Sequence, residues 1–223
     1  MRLVLVRHAQ STGNHEGRWQ GHADYPLSAL GHEQARRVAA SFQTDVDDDG
    51  HETTLLYASP LERAAHTAQA ISDVLNVPVT PWALLKEYDV GVFSGLTREE
   101  ICTRHPEIAT TFYQDRNWNT VPQAETVESR AHRAETVLDH LISHHPANER
   151  VICVTHGGFM QYLVAAVLRT ERIWGFRPGN TSVFEFDLTA EAHRESRNTP
   201  AGLSPYTCRI ERFNDMAHLF DQE

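Results

Sequence analysis

Apolar residues along this chain fall into two patterns, short continuous runs and longer stretches at helical spacing. Met1-Arg2-Leu3-Val4-Leu5-Val6, Leu55-Leu56-Tyr57-Ala58 and Arg150-Val151-Ile152-Cys153-Val154-Thr155 are too short for stable helices and end in polar residues, which predicts buried strands. After the second run, Ser59-Pro60-Leu61-Glu62 combines an N-cap serine, a proline at the first helical position and a capping-box glutamate. The helix this predicts continues through Ala64, Ala68, Ile71 and Leu75, and Asn76-Val77-Pro78 stops it before another short strand. Helical spacing also fits 28–42, 97–104, 126–143 and 158–168, while 181–188 and 206–213 read as a C-terminal strand pair joined by a polar loop with Asn198-Thr199-Pro200 and Gly202. Strands alternating with helices predict an α/β fold: a mostly parallel central sheet flanked by helices on both faces. The stretch 105–125 breaks the alternation, with Phe112, Tyr113 and Trp118 among polar residues, and is expected to form a small helical cap inserted in a single domain, 1–223.

The chemistry gathers where strands end. The first strand runs into Arg7-His8-Ala9-Gln10-Ser11-Thr12-Gly13-Asn14, and the strand ending at Thr155 runs into His156-Gly157-Gly158. An Arg-His pair alone fits a salt-bridged arginine and a hydrogen-bonded histidine closing a strand. In open α/β sheets, however, ligands collect at the carboxyl ends of strands. Three such ends here carry Arg7-His8, Ser59 with Arg63 one helical turn on, and His156-Gly157, which together suggest a phosphate site containing a nucleophile.

Charge sharpens this expectation. A formal net charge of -10 disfavours nucleic acid and anionic membranes as partners, so an anionic small substrate has to be held by local arginines against the global field. The apolar runs fall far short of the roughly 20 residues needed to span a bilayer, and no signal-peptide pattern follows Met1, so a cytoplasmic location is expected. Cys102, Cys153 and Cys208 are widely spaced, which indicates neither a disulfide framework nor a thiolate metal site. Several motifs fail on inspection. Asp45, Asp47, Asp49 and Gly50 imitate the start of a calcium loop, but Leu56 stands where its last glutamate belongs. His32-Glu33 and His51-Glu52 lack the second histidine of a zinc helix, and Asn180-Thr181-Ser182 matches a glycosylation acceptor without a secretion signal. No metal and no cofactor is expected.

The chain resembles the histidine phosphatase superfamily, the phosphoglycerate mutase-like group. The resemblance is carried by Leu5 through Asn14, by Gln20-Gly21-His22 through Ser28 with Gly31, and by Ser59-Pro60-Leu61-Glu62-Arg63-Ala64. It continues in Leu85-Lys86-Glu87 with Gly91 and Gly95, Glu125, Val154-Thr155-His156-Gly157-Gly158 and the ending Asn214 to Leu219. The pieces span nearly the whole chain in the family's order. Ala9 and Gln10 replace the commoner Gly and Glu, Ser94 replaces a Glu, and Ala124 replaces a Gly, none of which removes a catalytic group.

The resemblance implies that His8 attacks phosphorus as neutral imidazole and becomes phosphohistidine, a route that splits hydrolysis into two easier transfers. Arg7, Arg63 and His156, with Asn14, would hold the equatorial oxygens, and Glu87 would protonate the leaving oxygen and then activate water. Spacing alone leaves Glu87 as either that donor or a surface carboxylate beside Lys86, with Asp89 and Glu125 as competitors. Ser11, Thr12, Gln20, Gly21 and Gly157 are the candidate substrate-binding residues, and 105–125 would shape the leaving-group side. The implied activity is a metal-independent phosphomonoesterase acting on a small phosphorylated metabolite. The alternatives are a phosphoglycerate mutase, disfavoured because Arg98, Arg104 and Arg116 are separated where such mutases typically carry an adjacent pair, and a phospho-ligand binding module without turnover. Oligomeric state is not legible.

Overall fold

The computed structural model describes residues 1–45, 53–171, 176–190 and 206–220. Among them six strands form one sheet in the order β3-β2-β4-β1-β5-β6: β1 (Arg2–Arg7), β2 (Thr53–Ala58), β3 (Val79–Pro81), β4 (Glu149–Thr155), β5 (Val183–Ala190) and β6 (Tyr206–Asp215). β3, β2, β4 and β1 pair in parallel, and β5 and β6 extend the sheet antiparallel from β1. The α/β class and the terminal strand pair thus follow the sequence pattern. The acidic run after Asp45, the His51-Glu52 pair and the loop with Asn198 to Gly202 lie outside the described residues.

The two central strands carry unbroken apolar runs, Leu3 to Val6 in β1 and Val151 to Val154 in β4, because both of their faces are covered. Leu3, Leu5, Val151 and Cys153 point to one face, against α6 (Val127–His144) and α7 (Gly157–Val167). Val4, Val6, Ile152 and Val154 point to the other, against α2 (Ala29–Asp45) and α3 (Glu62–Leu75). The register sets Arg7 beside Thr155, and the His8 amide donates to the Thr155 carbonyl at 2.9 Å. Each strand ends one residue before its histidine, so this pairing brings His8 and His156 together.

α3 begins later than the sequence predicts. Its N-cap is Leu61, which has no side-chain cap, and the Glu62 amide donates instead to Asp24 Oδ1 at 2.8 Å. The Ser59 hydroxyl accepts from the Leu61 amide at 3.3 Å and also lies 2.7 Å from His156 Nε2, so it is shared between the chain entering the helix and a tertiary partner.

The stretch 105–125 contributes a helix, Pro106–Asp115, and a single 3-10 turn, Trp118–Thr120. Phe112 is buried in a third apolar cluster with Val90, Phe93 and Ile101. Trp118 packs on Trp19 and Tyr88 at centroid distances of 5.2 Å, so the segment backs a wall formed by other residues.

Candidate active site

The strand ends open into a cavity of about 350 Å³ lined by Arg7, His8, Asn14, Gln20, Gly21, Arg63, Glu87 and Gly157. Arg18, Trp19, Tyr88, Gln161 and Arg177 complete its outer wall. Four arginines and one carboxylate therefore face this space in a chain of net charge -10.

His8 is 3% exposed. Its Nδ1 lies 2.7 Å from the Ala9 carbonyl, which can only accept, so Nδ1 carries the proton and Nε2 keeps its lone pair. Burial, followed by the charges of Arg63 and Arg7, holds its pKa well below the usual imidazole value. Neutral imidazole with a fixed tautomer is the nucleophilic form.

His156 does not line the cavity; it stands behind His8 with ring centroids 5.0 Å apart. Its Nε2 lies 2.7 Å from the Ser59 hydroxyl; with that hydroxyl as the donor, Nδ1 carries the ring proton, and Nδ1 is buried without a partner. Arg7 donates through Nη1 to the Pro178 carbonyl at 2.7 Å, and Arg63 through Nη1 and Nη2 to the carbonyls of Ala23 and Gly21 at 3.0 and 2.9 Å. The Nε atoms of both arginines are also buried and unpartnered. Arg7 and Arg63 line the cavity together with His8, so their unpartnered nitrogens suit an anion bound there.

Ser11 and Thr12 do not line the cavity. Ser11 is buried beneath it, and its hydroxyl lies 2.8 Å from Gln20 Oε1 and 3.1 Å from Asn14 Oδ1. Asn14 Oδ1 also accepts from the Ser11 amide at 3.2 Å, and the side chains of Asn14 and Gln20 both belong to the cavity lining. Asn180 reinforces this by donating to the His8 carbonyl and to Asn14 Oδ1 at 3.1 and 3.3 Å, a role its glycosylation-like motif did not reveal.

Glu87 sits on the N-terminus of α7. Its oxygens accept from the amides of Gly158 (3.0 Å), Phe159 (2.8 Å) and Tyr88 (3.2 Å), a favourable place for a carboxylate. A side chain at Gly158 would start 2.8 Å from Glu87 Oε1, so this close approach requires glycine. Its competitors are engaged elsewhere: Asp89 accepts from the Gly91 amide, Glu125 is paired with Arg133, and neither lines the cavity. Gln161 was not anticipated, although the i, i+4 relation to Gly157 places both on one face of α7 and was available as a signal.

Among the described residues no group of three or more His, Cys, Asp or Glu is arranged to hold a metal ion, and no helix is long and apolar enough to cross a membrane.

The buried histidines make a pH prediction. His8 and His156 both have lowered pKa values in the folded protein, so below about pH 6.5 the unfolded chain binds protons that the folded one refuses. Their contribution to stability is complete above that pH and is lost as pH falls toward the folded values. Thermal melts from pH 8 to 5 should show this contribution constant above about pH 6.5 and falling below it with a slope approaching about 1.4 kcal/mol per pH unit for each such histidine, and His8→Asn should flatten that lower slope by one proton's share. Equal slopes for the two proteins would contradict the buried neutral state.

A family model described as the histidine phosphatase superfamily (branch 1) matches residues 3–198. Phosphoserine phosphatase 1 of Hydrogenobacter thermophilus is 29% identical over 220 residues, covering 98% of each chain. A metal-independent phosphoserine phosphatase of Arabidopsis thaliana is 32% identical over 166 residues, 71% of this chain and 65% of that one. Among solved structures, a mycobacterial glucosyl-3-phosphoglycerate phosphatase complexed with VO3 matches with a TM-score of 0.76 at 25% identity, over 96% of this chain and 99% of that one.

Proposed function

The chain belongs to the histidine phosphatase superfamily, and on that basis we propose that it is a metal-independent phosphomonoesterase working through a phosphohistidine on His8. The observation that carries the reading is the trio of unpartnered buried donors, Arg7 Nε, Arg63 Nε and His156 Nδ1, grouped about an imidazole whose Nε2 is free. Those donors, with the amides of Asn14 and Gln20, are suited to the three equatorial oxygens on which charge collects during phosphoryl transfer. His8 Nε2 forms the bond to phosphorus as the ester P–O bond breaks, and Glu87 passes a proton to the departing oxygen. Water then attacks the phosphohistidine, gives a proton to Glu87 and releases phosphate with neutral His8.

The acceptor is water in this reading, and the substrate is a small phosphorylated metabolite. Gly21 and Gly157 bring backbone close to it. Segment 105–125 acts as a cap insertion within a single domain and influences selectivity indirectly, through Trp19 and Tyr88. Cysteines that are all free suit a reducing, cytoplasmic compartment. Phosphate release from aryl and alkyl phosphates should persist in excess chelator and should be inhibited competitively by vanadate. Loss of turnover on chelation, restored by a divalent cation, would overturn the proposal.

The outer wall narrows the substrate class. Arg18 is committed to Glu16, Glu100 and the Gly95 carbonyl, whereas Arg177 is exposed at the pocket without an acidic partner among the described residues. Its backbone is held to the site, since the next carbonyl, that of Pro178, accepts from Arg7. A leaving group bearing a carboxylate fits this cation, in keeping with relatives named for phosphoserine and glucosyl-3-phosphoglycerate. Arg177→Gln should lower kcat/KM for O-phosphoserine about tenfold, the worth of one charge-assisted hydrogen bond. An aryl phosphate without a carboxylate should change less than about twofold; equal losses on both would remove Arg177 from this role.

A further inference from the structure

Glu87 lies in a stretch, Leu84 to Asp89, whose carbonyls are taken up largely by side chains and by atoms remote in sequence. The Thr155 hydroxyl donates to the Leu85 carbonyl at 2.8 Å, His22 Nε2 lies 2.8 Å from the Glu87 carbonyl, and the Glu125 amide donates to the Asp89 carbonyl at 3.0 Å. The remaining strong ties converge on one residue. Arg133 Nη1 donates to the carbonyls of Leu84 and Lys86 at 2.7 and 2.8 Å, and Lys86 is the residue immediately before Glu87.

The other edge of the same guanidinium is held by Glu125, with Nε to Oε1 at 3.0 Å and Nη2 to Oε2 at 2.8 Å. Its face lies 3.7 Å from the centre of the Phe159 ring, and the Phe159 amide is one of the donors that fix the Glu87 carboxylate. Arg133 therefore reaches Glu87 along two routes, through the chain that carries it and through the helix turn that binds it. Neither Arg133 nor Glu125 lines the cavity, and their side chains are only 14% and 15% exposed.

A partly buried ion pair is a poor device for stability, because desolvation offsets much of the attraction. Here the pair has a geometric consequence that apolar residues would not supply. The carboxylate fixes the plane of the guanidinium, and the plane fixes two carbonyls. We propose that Arg133 and Glu125 form a clamp that sets the position of Glu87, so that proton delivery to the leaving oxygen depends on two residues that never touch substrate. The proposal rests on the reading of Glu87 as proton donor, and it makes Arg133 and Glu125 positioning residues.

The test is a ratio that general damage would not move: kcat/KM for p-nitrophenyl phosphate, whose leaving oxygen needs little protonation, over kcat/KM for glycerol phosphate, whose leaving oxygen needs much. Arg133→Met should raise the ratio roughly tenfold, within the cost that misplacement of about 1 Å imposes on a reacting group. Arg133→Lys should raise it too, because an ammonium keeps the charge but does not bridge a carboxylate and two carbonyls in one plane. Inhibition by vanadate, which has no leaving group, should stay within about threefold of wild type for both. Should Arg133→Met fail to fold, the isosteric Glu125→Gln decides on the same ratio, with a smaller rise. Folded variants whose ratio is unchanged, or a lysine variant with the wild-type ratio, would overturn the clamp. Glu87→Gln, assayed alongside, separates the two failures: an unchanged ratio there removes the donor reading itself, whereas a raised ratio there with none in the Arg133 variants removes the clamp alone.

Discussion

Replacing His8 with alanine is expected to lower phosphate release by at least about 10⁴-fold while the protein remains folded. Loss of a covalent nucleophile typically removes catalysis on this scale, because the remaining groups act only in concert with it. No second nucleophile is placed to substitute: His156 does not line the cavity, and its Nε2 is engaged by Ser59. The fold should tolerate the change because His8 belongs to none of the apolar clusters and its ring makes a single hydrogen bond, to the Ala9 carbonyl. Circular dichroism together with steady-state turnover checks both halves. A folded variant with more than a few per cent of wild-type activity would show that His8 is not the nucleophile.

Glu87→Gln is expected to lower turnover by roughly 10² to 10⁴ on alkyl phosphates, the range of general acid catalysis by a positioned side chain. Glutamine keeps the size but has no proton to deliver, and its NH2 would face one of the three amides that now donate to the carboxylate. On an aryl phosphate the phosphorylation step should be nearly spared. Single-turnover burst measurements on both esters distinguish this from disruption of α7, which would slow both alike.

The sheet was legible because its two central strands are covered on both faces and so read as unbroken apolar runs, each ending at a histidine. Arg7, His8, Arg63 and Glu87 stand in contiguous motifs, and the structure gathers all four in one cavity. What escaped the sequence depends on partners distant along the chain. Ser59 has every local mark of a cap, yet its strongest partner is His156, 97 residues away. Ser11 was expected to face substrate, and its burial under Asn14 and Gln20 follows from the fold of a turn whose hydrophobic pattern is uninformative. Asn180 reaches His8 across 172 positions, and Arg133 reaches Leu84 and Lys86 across 49 and 47. The aromatics of 105–125 carry no mark that separates a pocket wall from the layer behind it; Trp118 packs on Trp19 and Tyr88, which do line the cavity.

The central claim is that the phosphoryl group passes through His8, and rapid mixing with phosphate-labelled substrate followed by an alkaline quench tests it most directly. Mass spectrometry of the digested protein should find, within the first turnover, a phosphoryl group on the peptide containing His8, stable in alkali and lost in acid. It should be absent from His8→Ala and should accumulate in Glu87→Gln when an aryl phosphate is the donor, because water then lacks its base. Acid-stable label on a serine, label on a cysteine, or rapid phosphate release with no phosphoprotein at any time would contradict the account.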